Sequence, residues 1–173
     1  MDKSALMKLS YGLYVLGVKN GDGFGGCIVD AVAQISQSDP PNVVLGSNLR
    51  NYSNELIKKT GVFTLSILGV DVDPFVIANF GFQSARNESV DKWAHVPHFE
   101  KDGLLYLEGA VSYLRLKVKE QQELGSHTLF LCETKDAWLG ESIVKPLIYG
   151  DYQADMKDAT MAAFKAFQEK NQK

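Results

Sequence analysis

Residues 42–53, N-V-V-L-G-S-N-L-R-N-Y-S, set an apolar run in front of a cluster of short polar side chains and one arginine. A strand that enters a polar turn and then a helix makes a seat for an anion. The first N–H groups of the helix point outward, the helix dipole favours negative charge, and Ser, Asn and Arg add donors. A phosphate group is the natural occupant. The same residues also suit an ordinary strand-to-helix loop with a polar cap. The local pattern does not separate the two readings.

Two further segments could touch a ligand. Phe80-Gly81-Phe82-Gln83-Ser84-Ala85-Arg86 combines aromatic rings, a hydroxyl and a guanidinium, which suits a flat ring with an anionic tail. It also reads as a helix end with Gly81 as stop and Phe80 and Phe82 in the core. His127, in G-S-H-T between two strands, falls at a strand end, where a neutral imidazole can donate a hydrogen bond or stack; a His capping a turn is the plain alternative. No G-x-S-x-G elbow is present. Asp71 and Asp73 fit a loop and a helix cap better than an acid–base pair. Cys27 and Cys132 are the only cysteines, too few for an iron–sulfur, rubredoxin or structural zinc site, and the three histidines have no matching spacing. No metal is expected.

Composition narrows the class. The 173 residues are 45% hydrophobic and 23% charged, as in an ordinary globular domain. A net charge of −3 argues against a general nucleic-acid binder, which needs a basic field. No apolar run reaches the length of a membrane span, and the first residues, M-D-K-S-A-L-M-K, lack the apolar core of a signal peptide. A cytoplasmic protein is expected.

The elements that must hold these residues are mostly strands. Runs at 11–19, 25–35, 42–47, 62–68, 104–119, 128–138 and 146–149 are rich in branched and aromatic residues. Asn20-Gly21-Asp22-Gly23 signals a hairpin. A helix is expected over 53–60, capped by Asn51 or Ser53 and stopped by Gly61, and a second begins at Asp73-Pro74. Residues 81–102 lack a clear period. The tail, 151–173, carries a helix over 158–170 with a modest apolar stripe. The expected fold is mainly β: a closed Greek-key barrel of six to seven strands over 1–150, with short helices and the C-terminal helix. A Rossmann sheet is disfavoured, because Gly21, Gly23, Gly25 and Gly26 lie in a hairpin with no helix after them.

Several segments, in this order, resemble the flavin reductase-like proteins, which fold as an FMN-binding split β-barrel. They are S-Y-G-L-Y-V-L, Q-I-S-Q-S-D-P-P-N-V-V-L, S-N-L-R-N-Y-S-N-E-L-I-K-K-T-G-V-F-T-L-S-I-L, F-G-F-Q-S-A-R, D-K-W and G-S-H-T-L-F, within residues 9–150. The chain looks most like the subgroup found fused to rubredoxin in anaerobes. The resemblance implies that Asn48, Arg50, Asn51 and Ser53 bind the flavin phosphate, and that Val29, Asp30, Ala31 and Val32 run along the ring edge through backbone groups. It implies that Ser84, Arg86 and Lys92 close the site and that His127 lies by the nicotinamide or the flavin face. It also implies FMN as cofactor, NADH or NADPH as donor, and a homodimer with flavin near the interface. Asp30-Ala31 stands where the subgroup often has Asn-Ser; a carboxylate facing the phosphate would weaken binding. Without cysteines for iron, any rubredoxin is expected to be a separate protein. The expected activity is NAD(P)H:flavin oxidoreduction, with electrons passed to rubredoxin, oxygen, ferric iron or free flavin. The alternative is a non-enzymatic flavin or haem carrier or sensor on the same barrel. A pyridoxamine-phosphate oxidase-type enzyme has less support, with a single Arg near the expected place.

Overall fold

The computed structural model describes residues 1–86 and 90–171. Among the described residues nine strands form: β1 Tyr14–Asn20, β2 Gly23–Val29, β3 Val32–Gln34, β4 Asn42–Asn48, β5 Val62–Ile67, β6 His98–Lys101, β7 Leu104–Leu107, β8 Ser112–Leu124 and β9 His127–Leu139. Seven make one antiparallel sheet in the order β2-β1-β5-β8-β9-β4-β3, and β6 and β7 form a separate hairpin. The non-sequential neighbours β1–β5 and β4–β9 give the Greek-key connectivity.

The sheet must curl. Laid flat, seven strands would hold β2 and β3 about 29 Å apart at ordinary strand spacing. Only Asp30 and Ala31 separate these two edge strands in the chain, and a link that short reaches about 11 Å at most. The edges therefore meet, and the sheet becomes a barrel with a seam at Asp30-Ala31. Alternate residues point inward, as the strand period requires: Leu16 and Val18, Cys27 and Val29, Val43 and Leu45, Phe63 and Leu65, then Leu116, Phe130 and Cys132. Leu56 and Ile57 of helix α1, Tyr52–Thr60, join that cluster.

A second layer covers the outer face of β1 and β2. Leu13 and Val15 meet Val76, Ile77 and Phe80 of helix α2, Pro74–Gly81, together with Trp93 and with Leu105 and Leu107 of β7. Two buried hydroxyls of β5 tie the hairpin on: Thr64 donates to the Leu105 carbonyl at 2.7 Å, and Ser66 accepts from the Leu107 N–H at 3.0 Å. Helix α3, Tyr149–Asp151, and a π-turn, Tyr152–Met156, lead into helix α4, Lys157–Asn171. This last helix lies on α2 through the ring pairs Phe75–Phe167 and Phe82–Phe164.

The hairpin turn at Gly21-Asp22, the Gly61 stop at φ 70° and the Asp73 cap on the Phe75 N–H form as the sequence predicts. Four expectations change. The run 25–35 breaks at the seam. The run 104–119 is two strands, parted at Gly109 with φ 76°. Residues 81–102 contain a 3-10 turn at Trp93–His95 and strand β6, while 87–89 lie outside the described residues. Residues 146–149 are not a strand: Ile148 and Pro146 make single bridges to Gly12 and Gly69. A further 3-10 helix, Lys3–Lys8, precedes the barrel.

One close approach fixes the second layer. A Cβ on Gly26 would lie 2.7 Å from the Leu16 carbonyl oxygen and 2.9 Å from the Phe80 ring. Gly26→Ala is expected to lower the unfolding free energy by about 1–3 kcal/mol, the range for overpacking. Urea denaturation checks this, and an unchanged midpoint would show that Phe80 is free to retreat.

Candidate functional site

The β4–α1 turn stands at the barrel rim, and it is tightly built. The Asn48 side-chain carbonyl accepts from the Arg50 N–H at 2.9 Å, and its backbone carbonyl accepts from Asn51 at 3.0 Å. The Leu49 N–H donates to Ser126 at 3.0 Å. Asn51 is the N-cap of α1, but its side chain makes no capping bond, so it stays available. The buried Asn54 holds the helix start down: it donates to the Ser47 carbonyl at 3.0 Å and accepts from Thr128 at 3.3 Å. Asn54 was not singled out from sequence. Its signal is an amide two residues before the core pair Leu56-Ile57.

A pocket of about 100 Å³ opens against this helix start. Arg50, Asn51, Tyr52 and Ser53 form one wall, Gly26, Cys27 and Ile28 of β2 the floor, and Ser84, Ala85 and Lys92 the far side. Of the four sequence-predicted residues in the turn and the four in the distant loop, five converge. Arg50, Asn51 and Ser53 line the pocket with Ser84 and Lys92. Asn48 braces the turn rather than lining the cavity. Arg86 is turned away into a two-pronged ion pair with Glu55, its guanidinium over the Tyr52 ring at 5.0 Å. Phe82 leans on Phe164 and lines a second, largely apolar pocket of about 540 Å³ with Tyr149, Tyr152 and Met161. The two pockets adjoin at Ile28 and Gly81.

The seam residues lie outside the small pocket. Val29 points into the core, and the Ala31 carbonyl accepts from the Gly46 N–H at 2.8 Å, as does the Asp30 carbonyl from Val32. The half-buried Asp30 acts on Tyr14, whose hydroxyl is held above its ordinary pKa by burial first and by the Asp30 charge second. His127 opens β9 directly across from Asn48, with its Nδ1 2.8 Å from the Ser126 hydroxyl. It is the first residue of β9, at the end of that strand. Among the described residues, no group of three or more His, Cys, Asp or Glu is arranged for a metal ion.

The flavin reductase like domain model matches residues 6–156. The chain belongs to the flavin reductase-like family. It is 35% identical over 139 residues to the high molecular weight rubredoxin of Moorella thermoacetica, covering 79% of this chain and 59% of that protein. It is 30% identical over 162 residues to the ferric-chelate reductase (NAD(P)H) of Archaeoglobus fulgidus, covering 92% and 94%. The styrene monooxygenase flavin reductase of Pseudomonas putida S12 superposes with a TM-score of 0.71 at 24% identity, over 85% of this chain and 91% of that one, a likeness of fold. Helix α4 lies beyond the family match.

In this family member the pocket's far side rests on one buried cation. Lys92 is 2% exposed. Its ammonium donates to the Gly26 carbonyl at 3.0 Å and to the Phe80 carbonyl at 3.1 Å, tying the end of α2 to β2. An ammonium has three donors, so one remains for the pocket. The neighbouring Trp93 indole donates to Gly25 at 3.1 Å, and Asn79 donates to the Lys92 carbonyl at 2.7 Å. Burial drives the Lys92 pKa down to about 8, and burial pushes the Cys27 thiol up, opposed by the Ser53 hydroxyl and by Lys92.

The unfolded chain, with an ordinary lysine near 10.5, thus binds more protons than the folded one between pH 8 and 10.5. Stability from this group therefore rises with pH across that window and is flat below it. Measured by urea unfolding, wild type should gain about 3 kcal/mol on Lys92→Met between those pH values. A difference that stays constant would contradict the buried, charged state of Lys92.

Proposed function

We propose that the chain is an NAD(P)H-dependent flavin oxidoreductase that seats the phosphate of FMN in the small pocket. The observation that carries this is the convergence of Arg50, Asn51 and Ser53 with Ser84 and Lys92 around the start of α1. The first N–H groups of a helix have no intrahelical acceptor, and here two cationic side chains and two hydroxyls join them. The donor set suits a dianion. At about 100 Å³ the pocket is well below the roughly 300 Å³ at which whole-ligand pockets begin. It takes the phosphate end and leaves the ring outside, along Ile28–Val32 toward the seam. A seat sized for one terminal phosphate supports FMN over FAD.

Bound flavin would supply the ring that accepts hydride. The chain's residues have other tasks. Val29, Asp30, Ala31 and Val32 present backbone groups along the ring edge, and the apolar pocket of Phe82, Tyr149 and Tyr152 keeps water from one side of it. His127 offers a ring nitrogen at the rim, where nicotinamide would approach. Arg86 acts indirectly, by fixing Tyr52 and Glu55 beside the seat. The ferric-chelate and rubredoxin relatives support one-electron acceptors, with rubredoxin as a redox partner. A homodimer is supported by Leu139 and Ile143, exposed at 82% and 99%. A cytoplasmic setting is supported by two buried free thiols.

Purified protein should be yellow, and anaerobic NADH or NADPH should bleach its flavin absorbance. A flavin-loaded chain inert to both nucleotides would favour the carrier reading instead. Two variants separate the roles. Arg50→Ala should weaken FMN binding by about 1–3 kcal/mol, as for a charged hydrogen bond, in a flavin fluorescence titration. His127→Ala should lower turnover while FMN affinity holds; loss of flavin would move His127 into the cofactor site.

A further inference from the structure

The apolar pocket between α2, β2 and α4 has a polar side that a flavin phosphate does not use. Its volume of about 540 Å³ falls among whole-ligand pockets, which begin near roughly 300 Å³. The barrel and α2 supply the inner wall, and Tyr149, Tyr152 and Met161 the outer one. Tyr152 and Gln153 open the π-turn, a helical irregularity that is frequent at functional sites. Lys157 and Met161 lie beyond the family match, which ends at residue 156. Part of this wall is therefore supplied from outside the matched domain. Contacts along α4 hold it in place. Phe164 packs on Phe82 with centroids 5.5 Å apart, and Phe167 on Phe75 at 5.1 Å. The fully buried Thr160 donates to the Met156 carbonyl at 2.9 Å.

Lys157 is the one charged residue in the lining, and no carboxylate joins it there. It has no ion pair among the described residues. Its neighbours three and four residues away, Gln153, Ala154, Thr160 and Met161, are uncharged. Asp155 and Asp158 are close in sequence but lie on other faces of the helix, outside the lining. Gln153 donates to the Tyr149 hydroxyl at 2.7 Å. That hydroxyl keeps its own hydrogen, and the amide keeps a second N–H. An ammonium, a hydroxyl and an amide therefore offer donors to a cavity that is otherwise apolar.

We propose that this pocket binds a small, flat aromatic carboxylate. The ring lies among Phe82, Tyr149, Tyr152 and Met161, and the carboxylate meets Lys157. Aromatic pairs gain more than their buried area alone provides, and a methionine sulfur adds a favourable contact with a ring. An aliphatic chain would bury the same walls without those contacts, and a neutral ring would leave the ammonium unused. The pocket shares Ile28 and Gly81 with the small pocket. A ligand here thus lies beside the flavin ring; that neighbourhood rests on the reading above, and the binding site does not.

The test titrates the full chain, with and without FMN, with 1-naphthoate by calorimetry. Saturable binding is expected in both states, with the neutral 1-naphthamide and the aliphatic octanoate each weaker. Lys157→Met, which keeps the side-chain length at an exposed position, should weaken 1-naphthoate about tenfold, as for one charged hydrogen bond. It should leave 1-naphthamide binding and FMN affinity unchanged. Tyr149→Leu should weaken both aromatic probes and spare octanoate. No binding of 1-naphthoate, equal binding of octanoate, or a Lys157→Met chain that binds 1-naphthoate like wild type would each overturn the proposal. Displacement of the probe by AMP would overturn it in favour of a nucleotide site, and displacement by FMN would give the pocket to the flavin. Probe binding by a chain that takes up no FMN would keep this site and remove the flavin reading.

Discussion

Asp30 and Ala31 join opposite edges of a seven-stranded sheet, and the rest of the molecule is arranged around that short link. It curls the sheet, closes a core of inward-pointing branched and aromatic residues, and leaves a seam where β2 and β3 each have a strand neighbour on one side only. An open edge is ordinarily a hazard, because its backbone groups invite another strand. Here the edge of β2 is managed in two ways. Its early part is covered by side chains from the loop after α2. Its later part, from Ile28 to the seam, is where a flat ligand would lie against backbone groups.

The covering of β2 explains why a lysine is tolerated in the second core. Burying an ammonium is costly unless it is hydrogen-bonded, and Lys92 finds the carbonyls of Gly26 and Phe80. With the Trp93 indole on Gly25, these donors stand in for the missing strand. The contact requires a residue without a Cβ at position 26, since Phe80 approaches there too. Glycine, lysine and tryptophan are thus one device: it pins the end of α2, and so places Ser84 and Ala85 opposite the start of α1. Helix α4 braces the same region from outside, its Phe164 and Phe167 covering Phe82, Phe75 and His95.

This device marks the limit of what the sequence shows. Strand alternation in Y-V-L-G-V-K-N or H-T-L-F-L-C is local, and so is the Asn-Leu-Arg-Asn turn before α1; both are legible. The break at Asp30-Ala31 is not, because the residues on either side stay strand-like and only closure of the barrel decides where the chain turns. His98–Lys101 looks polar, yet it pairs with β7 by a hairpin whose apolar support comes from Tyr106 and Tyr113. Residues 146–149 look like a strand and lack a partner long enough to make one. Phe82 and Arg86 have the side chains of ligand contacts, but Phe164 and Glu55, far away in sequence, take them. Lys92 sits in a polar stretch, and nothing local says that it is buried.

The seam also resolves the problem posed by a carboxylate in an anion-binding barrel. Asp30 is three residues beyond Cys27 on β2, about 10 Å along a strand. Two unit charges at that distance repel by about 0.4 kcal/mol in water and about 1.7 kcal/mol at an effective dielectric of 20. Against this, Arg50 and Lys92 stand at the pocket itself, and charge-assisted hydrogen bonds contribute about 1.5–3 kcal/mol each. The cations win at the proposed phosphate seat. Asp30 dominates at the other end, where burial first and its charge second raise the Tyr14 hydroxyl above its ordinary pKa. The barrel therefore has an electrical polarity along β2, positive at the pocket of Arg50 and Lys92 and negative at the seam. That polarity would favour one orientation for the proposed ligand, anionic tail toward Arg50 and Lys92 and uncharged ring toward the seam.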